Sequence, residues 1–317
     1  MNLIDRREMI AAKMILAVLF CSGVYQTAAA YQVNVYTTGN DLVAGAATDL
    51  RHFDGSGPQE TRWDIIDNNS GRSIATNNST FFVAEDTGAI NRYDRQGNFL
   101  HEYADVSENA GKTPNAQKIE SDVTGNIYLC FGGFHSTARK SCRLDPAGTI
   151  SATFSHLDLV FAGGIDANAN GDVFILESSH CKGGGRLFKF DASGNYLDDF
   201  ALADVKNAMD IAISESTNEL FIADVKTNAV LIYDLGNGTP VLTHTLPVPG
   251  RVLDVFVEQT MGRIFGTSVN IGLNTQGLSV NAEGFEVSRD GRIITTLKEA
   301  NSPRSQTVYG IVAIAVF

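Results

Sequence analysis

Cysteine is scarce in this chain: four in 317 residues, and Cys21 falls in an N-terminal segment that does not belong to the fold. Basic residues are also few, 24 Lys and Arg against 36 Asp and Glu, for a formal net charge of −12. An acidic chain with scattered cations is poorly suited to nucleic acid or to an anionic membrane as partner. Past residue 30 no stretch is long and apolar enough to span a bilayer. A nucleophile elbow is missing too, so a Ser–His–Asp set is not supported, and neighbours such as Ser155 and His156 read as strand-end polarity.

The N-terminal segment has an export pattern. Arg6, Arg7 and Lys13 precede an apolar core from Met14 to about Val24, and Ala28-Ala29-Ala30 offers small residues for cleavage before Tyr31. Lipid attachment at Cys21 is disfavoured by the bulky Phe20, and a twin-arginine signal at Arg6-Arg7 by poorly matching flanks. Residues 1–30 are therefore expected to be a secretory signal peptide. Residues 31–317 are expected to form a single secreted or periplasmic domain.

A repeat runs through that domain. Apolar first strands register at Ile74, Ile119, Ile165, Ile211, Val255 and Ile311, at intervals of 44 to 46 residues and a last one of 56. Each of the first five leads through a turn into a second apolar run, such as FFVAED at 81–86 or VFIL at 173–176. The third run ends in a bulky apolar residue and an aspartate: Tyr93-Asp94, Leu144-Asp145, Phe190-Asp191 and Tyr233-Asp234. A glycine follows, then the fourth run; the fifth copy has Ser288 in place of the aspartate. These runs are too short for helices and rich in residues that suit a pleated surface, with Asn and Gly at the turns. One such meander cannot bury both faces and needs copies stacked on either side.

The sixth copy opens with GIVAIAVF at 310–317 and stops. Its missing strands are found at the other end, in QVNVYTT at 32–38, DLRHFDGSG at 49–57 and TRWDII at 61–66. The expected architecture is therefore all-β: a six-bladed β-propeller of four-stranded antiparallel blades. A C-terminal inner strand closes the ring against N-terminal outer strands, which removes open edges.

Runs such as STNELFIAD at 216–224 and VLIYD at 230–234, each followed by a turn, resemble the NHL-type repeats of six-bladed propellers. The wider superfamily includes binding scaffolds, calcium- or zinc-dependent lactonases of the gluconolactonase type, and lyases that cleave modified glycine peptides. The resemblance implies the fold and does not choose among these activities.

Alternating strand direction puts short turns (NNST, ANANGD, ASGN) on one face of such a ring and long connections on the other: 104–118, 131–141, 177–186, 201–209, 269–283 and 298–309. Variable loops on a rigid frame are where function usually sits, so a ligand or partner is expected on the long-loop face around the channel. Asp210 and Asp254 share one register, just before the first apolar residue of their strands, with Ser73, Lys118, Gly164 and Gly310 as equivalents. These positions should ring the channel mouth. The two aspartates could approach a divalent cation there, or cap their strands and pair with Lys118. The resemblance to lactonases implies a Glu, an Asn and an Asp on the metal, and no matching Glu or Asn is found.

His135 and His180, the latter beside Cys181, sit in corresponding loops of neighbouring blades and offer zinc chemistry; no other blade supplies a third histidine there. Asp166, Asn168, Asn170, Gly171 and Glu177 fit the spacing of a calcium loop, but strands flank them where helices are required. No cofactor is expected on this basis, with calcium or zinc as the metals to consider. In an oxidising compartment Cys130 and Cys142, on adjacent strands, are expected to form a disulfide contributing about 3 kcal/mol, with Cys181 left over as a free thiol or, as the alternative, paired with Cys142 across the blade boundary. Asn68, Asn77 and Asn78 head glycosylation sequons.

The sequence thus points to a monomeric, exported binding scaffold whose partner, a protein, small molecule or glycan, is not specified. The alternatives are a metal-dependent lactonase or lyase using Asp210, Asp254 and His135 or His180, and a structural component of the cell envelope.

Overall fold

A computed structural model describes residues 33–38, 49–53, 60–64, 71–77, 79–85, 88–107, 116–131, 141–178, 185–236, 238–259, 261–274, 277–297 and 313–316. All the regular structure among them is β-strand. β1 (Val33–Thr38), β2 (Asp49–Phe53) and β3 (Glu60–Asp64) come first. Five contiguous four-stranded meanders follow. They are β4 to β7 (Gly71–Thr76, Thr80–Glu85, Ala89–Asp94, Phe99–Asp105) and β8 to β11 (Ala116–Ser121, Ile127–Phe131, Ser141–Leu144, Ile150–Phe154). Next come β12 to β15 (Ala162–Ala167, Val173–Glu177, Gly185–Phe190, Tyr196–Leu202) and β16 to β19 (Ala208–Ser214, Glu219–Asp224, Ala229–Asp234, Val241–Pro247). The fifth is β20 to β23 (Arg251–Val257, Ile264–Asn274, Gly277–Val287, Ile293–Leu297). Finally β24 (Ala313–Val316) lies beside β1, in a sheet ordered β24-β1-β2-β3. Every pairing is antiparallel. The molecule is a β-propeller with four-stranded blades.

Both faces of a blade are buried, and the second strands show how. Along β9, Ile127, Leu129 and Phe131 join a core that includes Phe82 and Ala84 of the preceding blade, while Tyr128 and Cys130 join a core with Ile165 and Val173 of the following one. Alternate residues of a strand point to opposite faces, so a continuous apolar run fits a strand packed on both sides. The same arrangement recurs where β12–β15 meets β16–β19 and where that blade meets β20–β23.

The recurring aspartates close turns. Asp94 Oδ1 accepts from the N–H groups of Gln96 and Asn98, both at 2.9 Å, and Asp145 and Asp191 repeat the pattern. Ser288 substitutes by accepting from Arg292 N–H at 3.1 Å. The glycine that follows fits against the preceding blade: Gly148 has φ +82°, and a Cβ there would lie 2.3 Å from Tyr103 O; for Gly194 the contact is with Thr153 O.

Two expectations are corrected. The 269–283 segment, read as an irregular loop, belongs to an extension of the β21–β22 hairpin, paired out to Asn274 and Gly277. Cys130 and Cys142 are both free thiols. Cys142 stands opposite Leu129, one residue away from Cys130, and a one-residue offset reverses the face. Cys142 therefore packs in one inter-blade core and Cys130 in the other, with Cys130 opposite Lys118 on its inner side.

Candidate binding site in the channel

The inner strands β4, β8, β12, β16 and β20 line the channel, and each carries a bulge at the same place. The ladder slips just before Ser73, Lys118, Gly164, Asp210 and Asp254. Bulges bend a strand and re-aim its side chains. Here they turn one residue per blade toward its neighbours. Ser73 Oγ accepts from Ile119 N–H at 3.0 Å, and Asp210 Oδ2 accepts from Val255 N–H at 3.2 Å, so each reaches the next inner strand. Gly164 gives β16 room: a Cβ there would lie 2.6 Å from Ile211 N.

Lys118 crosses the channel. Its Nζ pairs with Asp254 Oδ1, lies 3.5 Å from Asp210 Oδ2, and donates to Leu253 O at 3.4 Å. Lys118 is 8% exposed, and Asp210 and Asp254 are 1% each, so these residues lie within the channel wall and not at an open mouth. Burial pulls the ammonium pKa down, but the charges of Asp210 and Asp254 outweigh this and hold it above its ordinary value. Burial raises Asp254 well above the carboxylate range; Lys118 opposes the shift and the like charge of Asp210 adds to it. Asp210 Oδ1 and Asp254 Oδ2 are buried without a hydrogen-bond partner. One ammonium thus serves two carboxylates.

Two residues further along the same strands the wall changes. Glu120 and Asp166 face a cavity of about 300 Å³ at the end of the channel near the short turns, where Asn77, Asp122, Glu215 and Gln259 lie. Asp166 accepts from Ala167 N–H at 2.7 Å and Ile213 N–H at 2.6 Å, yet burial pushes it up to about 8. Glu120 is raised well above its usual range by burial and then by the charges of Asp166, Asp210 and Asp254. Sequence reasoning stopped one register short of this pair. The signal was present, because residues two apart on a strand share a face, and Glu120 follows Lys118 by two.

Among the described residues no group of three or more His, Cys, Asp or Glu side chains is arranged to hold a metal. His135 and His180 lie outside the described residues, as do Cys181, Asn68, Asn78 and Gly310. In the turn with calcium-loop spacing, Asn168 Oδ1 accepts from the N–H groups of Asn170 and Asp172, both at 3.0 Å. Glu177 is at the far end of β13, opposite Ala162. The turn closes on itself. Asn77 likewise caps its own turn, accepting from Thr80 N–H at 3.2 Å.

No family model matches the sequence, and no curated relative matches it either. Solved structures do resemble the fold. A chain of the nidogen/laminin complex superposes with a TM-score of 0.67 at 11% identity, covering 89% of this chain and 98% of that one. A protein of unknown function from Bacteroides caccae gives 0.64 at 11% identity, with the same coverage. A functionally unknown protein from Desulfotomaculum acetoxidans gives 0.56 at 14% identity, again over 89% and 98%. At these identities the likeness is one of fold, that of a β-propeller.

Proposed function

We propose that the protein is an exported, monomeric, six-bladed propeller of the NHL type that acts as a binding scaffold. In this reading the sheet joining β24 to β1–β3 is the closing blade, and the long-loop face receives a protein or other ligand. The observation that carries the reading is the state of Asp210 and Asp254. They are the pair nearest to a metal-enzyme constellation, and the ammonium of Lys118 stands where a cation would bind them. A carboxylate pair neutralised by lysine fits a frame better than a catalytic centre. One of the structures that share the fold is a chain of a protein–protein complex, which is consistent with a scaffold.

The test has two arms. A photocrosslinker placed in intact cells at Phe134, in the 131–141 connection, is expected to give discrete adducts. The same group at Ala147, in a short turn, is expected to give none; equal labelling from both sinks the face assignment. Metal analysis of the purified protein addresses the lactonase alternative. Stoichiometric zinc or calcium, lost in Asp210→Ala/Asp254→Ala and accompanied by lactone hydrolysis, would replace the scaffold with an enzyme.

A further inference from the structure

The cavity at the short-turn end of the channel has a definite chemistry. Its wall carries Glu120, Asp122, Asp166, Glu215 and Glu258 and, among the described residues, no lysine or arginine. Three of these carboxylates already have hydrogen bonds from the protein. Asp122 closes its turn on Thr124 and Asn126, Asp166 holds Ala167 and Ile213, and Glu258 accepts from Met261 N–H at 2.6 Å. Among the described residues, the carboxylates of Glu120 and Glu215 have no such bond, and Glu120 is the more deeply set of the two. It is 9% exposed, lines the cavity, and has neither a hydrogen bond nor an ion pair to its carboxylate among those residues. Lys118, two residues away on the same strand, is committed to Asp254 and Asp210. The protein supplies this carboxylate no donor among the described residues, so a cation entering the cavity would be its partner.

We propose that this cavity binds a small protonated aliphatic amine, its ammonium set between Glu120 and Asp166 and its hydrocarbon part along Ile213, Val257 and Phe256 at the wall. An ammonium donates up to three hydrogen bonds, and its short apolar tail suits the mixed wall. A bare divalent ion fits less well: it needs a compact shell of oxygens, and no group of three or more His, Cys, Asp or Glu among the described residues is arranged to hold one. The site lies at the opposite end of the channel from the long loops, so it stands or falls independently of partner binding there.

The charges around Glu120 set the pH dependence. Asp166 faces it from β12, Asp210 from β16 and Asp254 from β20; Lys118 is on its own strand, and Ser73 and Thr76 on β4 bring no charge. Both Glu120 and Asp166 are raised by burial, Asp166 to about 8. A cation draws off their protons, so affinity rises with pH until the amine itself deprotonates near ~10.4.

Titration calorimetry of the purified protein with butylamine tests this. The expected result is saturable one-to-one binding that strengthens from pH 6 to pH 9. 1-Butanol should not compete, and Glu120→Gln, melting like the parent, should lose tenfold or more in affinity. Equal competition by 1-butanol, undiminished binding by Glu120→Gln, or stoichiometric calcium that excludes butylamine would each overturn it. If Glu120→Gln fails to fold, methyl NMR of the parent protein decides: saturable shifts at Ala212 and Ile213 support the site, and their absence refutes it.

Discussion

Lys118→Met removes the ammonium that pairs with Asp210 and Asp254. Two buried carboxylates then lack a partner, and breaking such a pair costs about 3 kcal/mol at neutral pH. Adding Asp210→Asn and Asp254→Asn should recover most of that loss, because the neutral amides need no cation; urea unfolding at neutral pH gives the answer. Asp166 makes a separate prediction. Its pKa is raised to about 8 in the folded state. The unfolded chain therefore loses this proton first as pH rises. Its contribution is fully present below the unfolded value and is lost as pH climbs toward 8. Asp166→Asn should flatten the decline in urea midpoint between pH 4 and pH 8, and an unchanged slope would refute the assignment. At this scale the sequence is readable where the repeat aligns residues. Ser73, Lys118, Asp210 and Asp254 could be placed on one ring because each precedes the first apolar residue of its strand. The shared ring also made pairing of Lys118 with the two aspartates one of the arrangements to expect, and the lysine does reach Asp254, 136 positions away. The choice between that pairing and a metal needed the structure, because no local pattern encodes a contact across the channel.

Gly148 and Gly238 compare two effects at the level of the turn. Both have φ +82°, but a Cβ at Gly148 would meet Tyr103 O at 2.3 Å, whereas one at Gly238 meets nothing within 4 Å. Gly238→Ala should cost only the left-handed backbone strain, about 1 kcal/mol. Gly148→Ala adds a collision with backbone of the preceding blade and should cost about 3 kcal/mol. Chemical denaturation of the two variants checks this, and equal losses would mean the blades yield at that contact. The elements themselves were mostly legible, since short runs of Val, Ile, Leu and Phe between Asn and Gly turns leave little choice but strand. Two features were not. The β21–β22 extension is built from VNIGLNTQGLSVN, whose Asn and Gly content mimics a loop although its ladder continues through Asn274 and Gly277. Cysteine pairing depended on a register that spacing alone left one residue uncertain, and that residue separates one face from the other.

For the whole molecule, the join between β24 and β1 decides whether the array ends in two open edges or in none. Val33 pairs with Val316 and Tyr36 with Ala313, so four residues of the last strand are laddered to the first. Each backbone hydrogen bond contributes about 1 kcal/mol net. Deleting residues 313–317 should therefore cost about 4 kcal/mol and lower the melting temperature by on the order of 10 °C. The effect should also be selective. With its inner partner gone, β1 presents an unpaired edge, so protease cleavage should begin in the N-terminal strands and leave β8 to β19 protected. A synthetic peptide of residues 310–317 added in trans has the sequence to refill the vacancy and should restore the melting temperature in a saturable way. If the truncated chain melts like the parent, or the peptide has no effect, the closing sheet does not bear on stability. The six-bladed ring proposed from the sequence would then have to be given up in favour of an open array.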